Sequence, residues 1–262
     1  MQRSYAQLLA AVSRVFSPEP RLPLPLQSGA PPRIIHVVAL GDSFAERAKN
    51  SGLRAALSGL NPGYVINVVE ESTALDVMQR HFPDYLAFYK TLQGSWRSDL
   101  VRYFIMFLHG GVYIDLDLQP LLGFDALLER LRAVVAARRE HSSLVRRVFC
   151  IGARKILPYE GANGFMIAPA GDTIFLDLAK TMMQQANQEK DLYGANVKRF
   201  YDTLSTWFPA ISAYTAVDDT FFLQEVEVER MTSTSPSYTI NVLPEEPVML
   251  SNGWAGVRWP DA

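Results

Sequence analysis

The segment SDLVRYFIMFLHGGVYIDLDLQP, Ser98 to Pro120, divides into a helix, a turn and a strand. Trp96, Leu100, Phe104 and Phe107, with Val101, Ile105 and Leu108 beside them, recur every three to four residues, so one broad helical face is apolar. Asp99 and Arg102 stand three apart and share a different face. His109 falls in the last turn, and Gly110-Gly111 supplies the positive φ at which a helix stops. From Val112 the period is two: Val112, Ile114, Leu116 and Leu118 point one way, Tyr113, Asp115 and Asp117 the other. A strand running through Leu118 therefore carries both carboxylates on one side of its end.

Two acids so placed repel each other, and burial raises one pKa unless a cation lies beside them. A hard divalent ion, Mn2+ or Mg2+, suits the pair, because it prefers carboxylate oxygens and keeps positions open for water and substrate phosphates. That chemistry points to a nucleotide diphosphate. An isolated Asp-x-Asp has a plainer reading, an edge strand with solvated aspartates. The Gly-Gly turn and the Ser-Asp-x-x-Arg helix directly before it favour the ion site.

Ser98-Asp99-x-x-Arg102-Tyr103 followed by Gly110-Gly111-x-Tyr113-x-Asp115-x-Asp117 resembles the signature of the DXD-motif sugar transferases, the group of glycosyltransferase family 32 and the fungal initiating mannosyltransferases, with the glucosylating clostridial toxins as distant members. The resemblance implies an α/β fold of the GT-A type, with a mixed central sheet flanked by helices. It also implies a UDP- or GDP-linked sugar donor, a divalent metal that is usually Mn2+, and transfer of a hexosyl or pentosyl group to a glycan or other hydroxyl acceptor with retention of configuration. The match is close over about two dozen residues.

Length and composition agree with this. The 262 residues suit one large α/β domain, and 48% hydrophobic content is ample for a core. We expect a helix and Pro-rich linker over 1–32 and a single glycosyltransferase domain over 33–262. A net charge of −2, with dispersed arginines, offers nothing to nucleic acid or to an anionic membrane. The single Cys150 excludes an internal disulfide and fits a reducing, cytoplasmic setting. Residues 5–16 read as a short amphipathic helix, too short to cross a membrane, that packs on the body or associates peripherally with a membrane or partner.

After the prolines, residues 32–38, PRIIHVV, form the first buried strand. They resemble the family's opening strand, although Val38, Ala39 and Leu40 stand where an aromatic often stacks on the donor base. His36 reads as a core histidine rather than a ligand. Gly41-Asp42-Ser43-Phe44 resembles the first block of the Gly-Asp-Ser esterases, but no histidine lies beyond His141 to serve as base, so Asp42 or Ser43 is better read as the cap of a helix over 44–49. Asn61-Pro62-Gly63 is a turn before a strand over 64–70, which completes the start of a β-α-β unit. Helices follow over 72–80 and 83–92.

Beyond the acidic strand we expect a short helix over 124–131, a strand over 133–137, and a loop carrying Arg138, Arg139, Arg146 and Arg147, solvated or touching an anionic acceptor. Residues 161–168 resemble a family strand in which Asn163 presents its amide to the transferred sugar; a turn-forming Asn beside Gly is the rival reading. Helices are expected over 172–188 and 191–207. Asp218-Asp219 read as caps.

The tail stretch Ile240-Asn241-Val242-Leu243-Pro244-Glu245 resembles the family's late strand, after which a histidine usually completes the metal shell. Here Ser251-Asn252-Gly253-Trp254 stands instead, and the resemblance to the toxins makes Asn252, with Ser251 behind it, the candidate oxygen ligand. An Asn-Gly turn remains the alternative.

The expected roles follow from the resemblance. Asp117 binds the metal directly. Asp115 holds ribose or sugar hydroxyls and reaches the metal through water. Asp99 and Arg102 bond sugar hydroxyls, Arg102 also meets phosphate, Tyr113 lines the donor pocket, and Asn163 and Trp254 complete the donor contacts. A sugar-nucleotide-binding protein that has lost transfer is the alternative suggested by the missing aromatic and histidine.

Overall fold

The computed structural model describes residues 29–50, 52–92, 95–138, 145–154, 157–186, 192–209, 212–217, 219–227 and 238–251. The expected N-terminal helix and most of the linker lie outside these residues, as do Arg139, His141, Asp218, Asn252 and Trp254. None of the described helices is long and apolar enough to cross a membrane.

Strand β1, Ile34–Val38, runs parallel to β2, Val65–Val69, and to β3, Gly111–Ile114. Between β1 and β2 the chain makes α1, Asp42–Asn50, and α2, Leu53–Leu60. Helix α1 starts at Asp42, two residues before the expected start, with the Gly41 carbonyl accepting the Phe44 and Ala45 N–H groups. Helix α2 has no counterpart in the sequence reading. It buries Leu53 and Leu57, four apart, and ends at Asn61, whose side-chain amide donates back to the Leu57 carbonyl (2.9 Å) while its Oδ1 accepts the Phe124 N–H (2.6 Å).

Helices α3, Glu71–His81, α4, Pro83–Tyr89, and α5, Ser95–His109, then lead back to the sheet. Gly110 (φ 57) and Gly111 (φ 92) take the left-handed turn expected after His109. Side chains are excluded there twice over, since a Cβ on Gly110 would lie 2.3 Å from the Ala170 nitrogen and one on Gly111 2.4 Å from the Ile34 carbonyl oxygen. His36 fastens this turn from β1. Its Nε2 donates to the Gly110 carbonyl (2.9 Å), and Nδ1 accepts from the Asn67 amide (3.0 Å). Burial pushes the imidazole down to about 4, more than the Gly110 carbonyl can offset, and His109 adds to the depression.

The continuous strand expected from Val112 to Leu118 is instead two. Strand β3 ends at Ile114, a turn occupies Asp115 to Asp117, and β4, Leu118–Pro120, begins a new pairing. The Asp115 carbonyl accepts the Leu118 N–H at 3.1 Å, which closes the turn. Alternation persists across it: Val112, Ile114 and Leu118 enter one core and Tyr113 the other.

Helix α6, Phe124–Ala137, is also a correction, because it runs through the residues expected to form a strand. Val134 and Val135 are β-branched, but they continue the Leu127, Leu128, Leu131 stripe at helical spacing and are buried with it, so packing outweighs propensity. Strands β5, Arg147–Arg154, and β6, Leu157–Ala168, follow. After them come α7, Ile174–Ala186, α8, Leu192–Trp207, β7, Ala216–Val217, β8, Thr220–Glu227, β9, Tyr238–Leu243, and β10, Glu246–Ser251.

One mixed sheet holds these strands in the order β2-β1-β3-β6-β5-β8-β9-β10-β4, with β7 on β8. This α/β fold, a mixed sheet flanked by helices, is the one expected. Strands β3 and β4 are separated by a three-residue turn yet sit six places apart, so the sheet curls until its far edge returns to β3. The α5, α7 and α8 side packs around Phe104, Phe149 and Phe175, and the α2 and α6 side around Phe124, Phe165 and Phe221. The arginine cluster is largely structural: Arg147 bonds both Asp172 and Asp219, and Arg146 approaches Asp219 at 3.9 Å. Asp219 is therefore an ion-pair partner ahead of strand β8, and Asp172 caps α7.

Candidate active site

The strands β1, β2 and β3 are parallel, and β1 lies between the other two; α/β folds hold ligands beyond the carboxyl ends of strands so arranged. Asp115 is the first residue past β3, and its N–H donates to the Gly164 carbonyl of β6 at 2.8 Å. Helix α5 returns its amino end to the same edge and delivers Asp99 and Arg102.

Arg102 is the hub. Its Nη2 pairs with Asp99 Oδ1 at 2.8 Å, while Nη1 reaches Asp115 Oδ1 at 3.3 Å and donates to the Asn163 carbonyl at 3.0 Å. The guanidinium carbon also sits 4.7 Å from the centre of the Tyr113 ring. Burial alone would pull the guanidinium pKa down. Asp115, Tyr113, Asp99 and Tyr103 together outweigh it and hold it above its ordinary value, so Arg102 is a fixed cation.

Asn163 lies within β6 rather than in a turn, and its amide donates to Asp99 Oδ1 (3.2 Å) and to the Tyr103 hydroxyl (3.1 Å). Tyr113 has no exposed surface. It acts on the site by donating its hydroxyl to Asp115 Oδ1 at 2.5 Å, so its contribution runs through Asp115 and not through a pocket wall of its own. Burial raises the Tyr113 and Tyr103 hydroxyls above their usual range, so both stay protonated.

Asp117 has a separate support. Strand β10 pairs antiparallel with β4, Ser251 opposite Leu118, and the Ser251 hydroxyl donates to Asp117 Oδ2 at 3.3 Å. Burial first, and the Asp115 charge second, push the Asp117 carboxyl up to about 6, against the backbone and Ser251 bonds that favour its ionised form. A cation between the acids would relieve both effects. Among the described residues no group of three His, Cys, Asp or Glu side chains gathers, so the oxygens on offer are those of Asp117, Asp115 and Ser251. All are hard donors, and so short a set leaves coordination positions for water and phosphate, which fits Mn2+ or Mg2+.

The structure thus brings Asp99, Arg102, Tyr113, Asp115 and Asn163 into one network and sets Ser251 against Asp117. Tyr103 belongs to the network without having been assigned a role from sequence. Its position four after Asp99 on the helix was the available signal.

Residues 49–133, about a third of the chain, are similar to the family described as "Glycosyltransferase sugar-binding region containing DXD motif". Two curated relatives are fungal. "Mannosyl phosphorylinositol ceramide synthase SUR1" of Saccharomyces cerevisiae is 30% identical over 135 residues, 49% of this chain and 35% of that protein. "Inositol phosphoceramide mannosyltransferase 3" of Schizosaccharomyces pombe is 32% identical over 111 residues, 40% of this chain and 31% of that protein. The match therefore spans about a third of the length of these relatives. Among solved structures, the PaToxG glycosyltransferase aligns with a TM-score of 0.48 at 15% identity over 79% of this chain and 76% of that chain. The ligand-free glycosyltransferase domain of the YGT toxin aligns at 0.28 and 11% identity, over 66% of this chain and 47% of that chain.

Proposed function

We propose that this chain is a metal-dependent glycosyltransferase that moves a sugar from a UDP- or GDP-linked donor to a hydroxyl of a glycan or glycoconjugate, with retention. The observation that carries the reading is the network of Asp99, Arg102, Asp115 and Asn163 beside a second acid, Asp117, that has its own hydroxyl partner. Hexosyl transfer is the version we favour, since the curated relatives bear mannosyltransferase names. Residues 33–262 act as one domain in this reading, preceded by the segment 1–32.

Asp117, Asp115 and Ser251, with Asn252 as a further ligand, would hold the divalent ion, which when bound supplies Lewis-acid stabilisation of the diphosphate charge. Asp99 and Asp115 accept hydrogen bonds from sugar or ribose hydroxyls through the oxygen valences that Arg102 leaves open. Arg102 orients both carboxylates and adds positive charge facing the leaving group. Asn163 holds Asp99 in place through its amide. Asp99 and Asp115 are both tied to Arg102, so neither is a free nucleophile, and front-face attack by the acceptor with the departing phosphate as base is the route that requires none. Trp254 flanks the donor in this scheme.

The test is a thermal-shift panel of UDP- and GDP-sugars with and without Mn2+, followed by transfer of labelled sugar to an acceptor panel. Asp117→Ala should abolish the metal-dependent shift while melting as a folded protein. A shift that survives this change removes the assignment. Metal-dependent binding with no turnover on any acceptor would instead support the binding-protein alternative.

A further inference from the structure

Strand β6 backs the acidic turn at a single residue. The Gly164 carbonyl takes the Asp115 N–H at 2.8 Å, and a Cβ built on Gly164 would lie 2.9 Å from Asp115 Oδ2, 3.5 Å from its Cγ and 3.5 Å from Leu118 Cδ1. Carbon and oxygen do not approach so closely without displacement, since favourable heavy-atom contact begins near ~3.5 Å. Gly164 is not among the glycines with positive φ, so its backbone accepts any side chain. What it lacks is room, and the nearest atom filling that room is a carboxylate oxygen of the proposed donor site. This distinguishes Gly164 from Gly110 and Gly111, where a Cβ would meet backbone.

The carboxylate has little freedom to retreat. Its Oδ1 accepts the Tyr113 hydroxyl at 2.5 Å, and both oxygens face Arg102 Nη1, at 3.3 and 3.4 Å. We propose that Gly164 is a positioning residue for the donor site: its bare Cα is the space that lets Asp115 keep the conformer shared with Tyr113 and Arg102, and any side chain there drives the carboxylate off both partners. The inference rests on the reading of Asp115 as a donor-binding residue, and Gly164 acts only through it.

The experiment compares the full chain with Gly164→Ala, Asp115→Ala and the double variant, by calorimetric titration with UDP-glucose and GDP-mannose in the presence of Mn2+. If Gly164 works through the carboxylate, Gly164→Ala weakens binding by about 10- to 100-fold, the cost of a misplaced contact. The double variant then binds no worse than Asp115→Ala alone. Wild-type affinity in Gly164→Ala, or losses that multiply in the double variant, overturns the proposal.

If the wild-type protein binds neither these probes nor any other UDP- or GDP-sugar of the panel, the glycosyltransferase reading fails by itself, and crystal structures of the wild type and Gly164→Ala decide the present inference. A carboxylate moved off the Tyr113 hydroxyl upholds it, and an unmoved one overturns it. Should Gly164→Ala not fold, recovery of folding in the double variant upholds the clash with Asp115, and failure of both overturns it.

Discussion

Replacing Arg102 with methionine tests whether the site is held together by one buried cation. The Arg102 and Asp99 side chains are 6% and 11% exposed, so the change removes the guanidinium from Asp99 in a largely dry setting, where the Asn163 amide still donates at 3.2 Å. Removing one partner of a buried pair costs about 3–5 kcal/mol. The Asp115 arm adds less, because that carboxylate is 31% exposed and water takes over much of the lost interaction. The Asn163 carbonyl also loses its donor, a further penalty of about 1–3 kcal/mol if no water replaces it.

The measurement is urea unfolding. With a slope of about 3 kcal/mol per molar for a chain of this size, Arg102→Met should lower the midpoint by about 1–3 M. Arg102→Met/Asp99→Leu should recover roughly half of that, since an apolar pair of similar volume replaces a buried charge that has lost its guanidinium. A midpoint for Arg102→Met within about 0.3 M of the wild type, or a double variant less stable than either single one, would refute the claim that this guanidinium is the hub.

Two other perturbations probe the frame around the site. His36 is neutral in the fold with its pKa near 4 and ordinary, about 6.5, when unfolded, so the unfolded chain takes up its proton first as pH falls. Its contribution is complete above pH 6.5 and is lost between there and pH 4, amounting to about 3 kcal/mol. Unfolding midpoints of the wild type and His36→Gln between pH 7 and 4.5 should converge on acidification, and parallel curves would rule the mechanism out. Gly111→Ala combines a left-handed backbone (φ 92) with a Cβ 2.4 Å from the Ile34 carbonyl oxygen, so it should destabilise by more than about 2 kcal/mol and part β3 from β1; a melting temperature equal to the wild type would show that the turn relaxes freely.

The helix, turn and strand around Gly110-Gly111 were legible because each depends on short-range chemistry: apolar periodicity, positive φ and alternation. The pairing of Asp99 with Arg102 was legible from helical spacing. The break at Asp115 was not, because alternation is the same whether β3 and β4 are one strand or two, and the difference lies in pairing with β10, more than 100 residues away. Helix α6 was misread because Val134 and Val135 are strand formers by propensity, while the core they enter is made by Phe165 and Phe221. Helix α2 was missed since LRAALSGL is short and its cap, Gly52, offers no side-chain signal. The fastening of Arg102 to the Asn163 carbonyl is a main-chain contact, which no choice of residue type announces.

The curl of the sheet explains why two acids so close in sequence have such different supports. Asp115 is held from the β3 side, by Tyr113 of β3, Arg102 of α5 and the backbone of β6, which pairs antiparallel with β3. Asp117 is held from the opposite edge, by Ser251 of β10, because β4 must pair there as soon as the turn ends. The acidic turn is therefore the seam at which the sheet returns on itself, and the two carboxylates report on opposite sides of that seam. Their functions should separate accordingly. Changes in α5 or β6 reach sugar and ribose recognition through Asp115, whereas changes in β9 or β10 that shift Ser251 reach the ion through Asp117 and leave the Arg102 network standing. A Ser251→Ala variant that lowers apparent Mn2+ affinity without altering the Arg102→Met stability loss would fit this division; a change in both would mean that the seam transmits strain between the two halves.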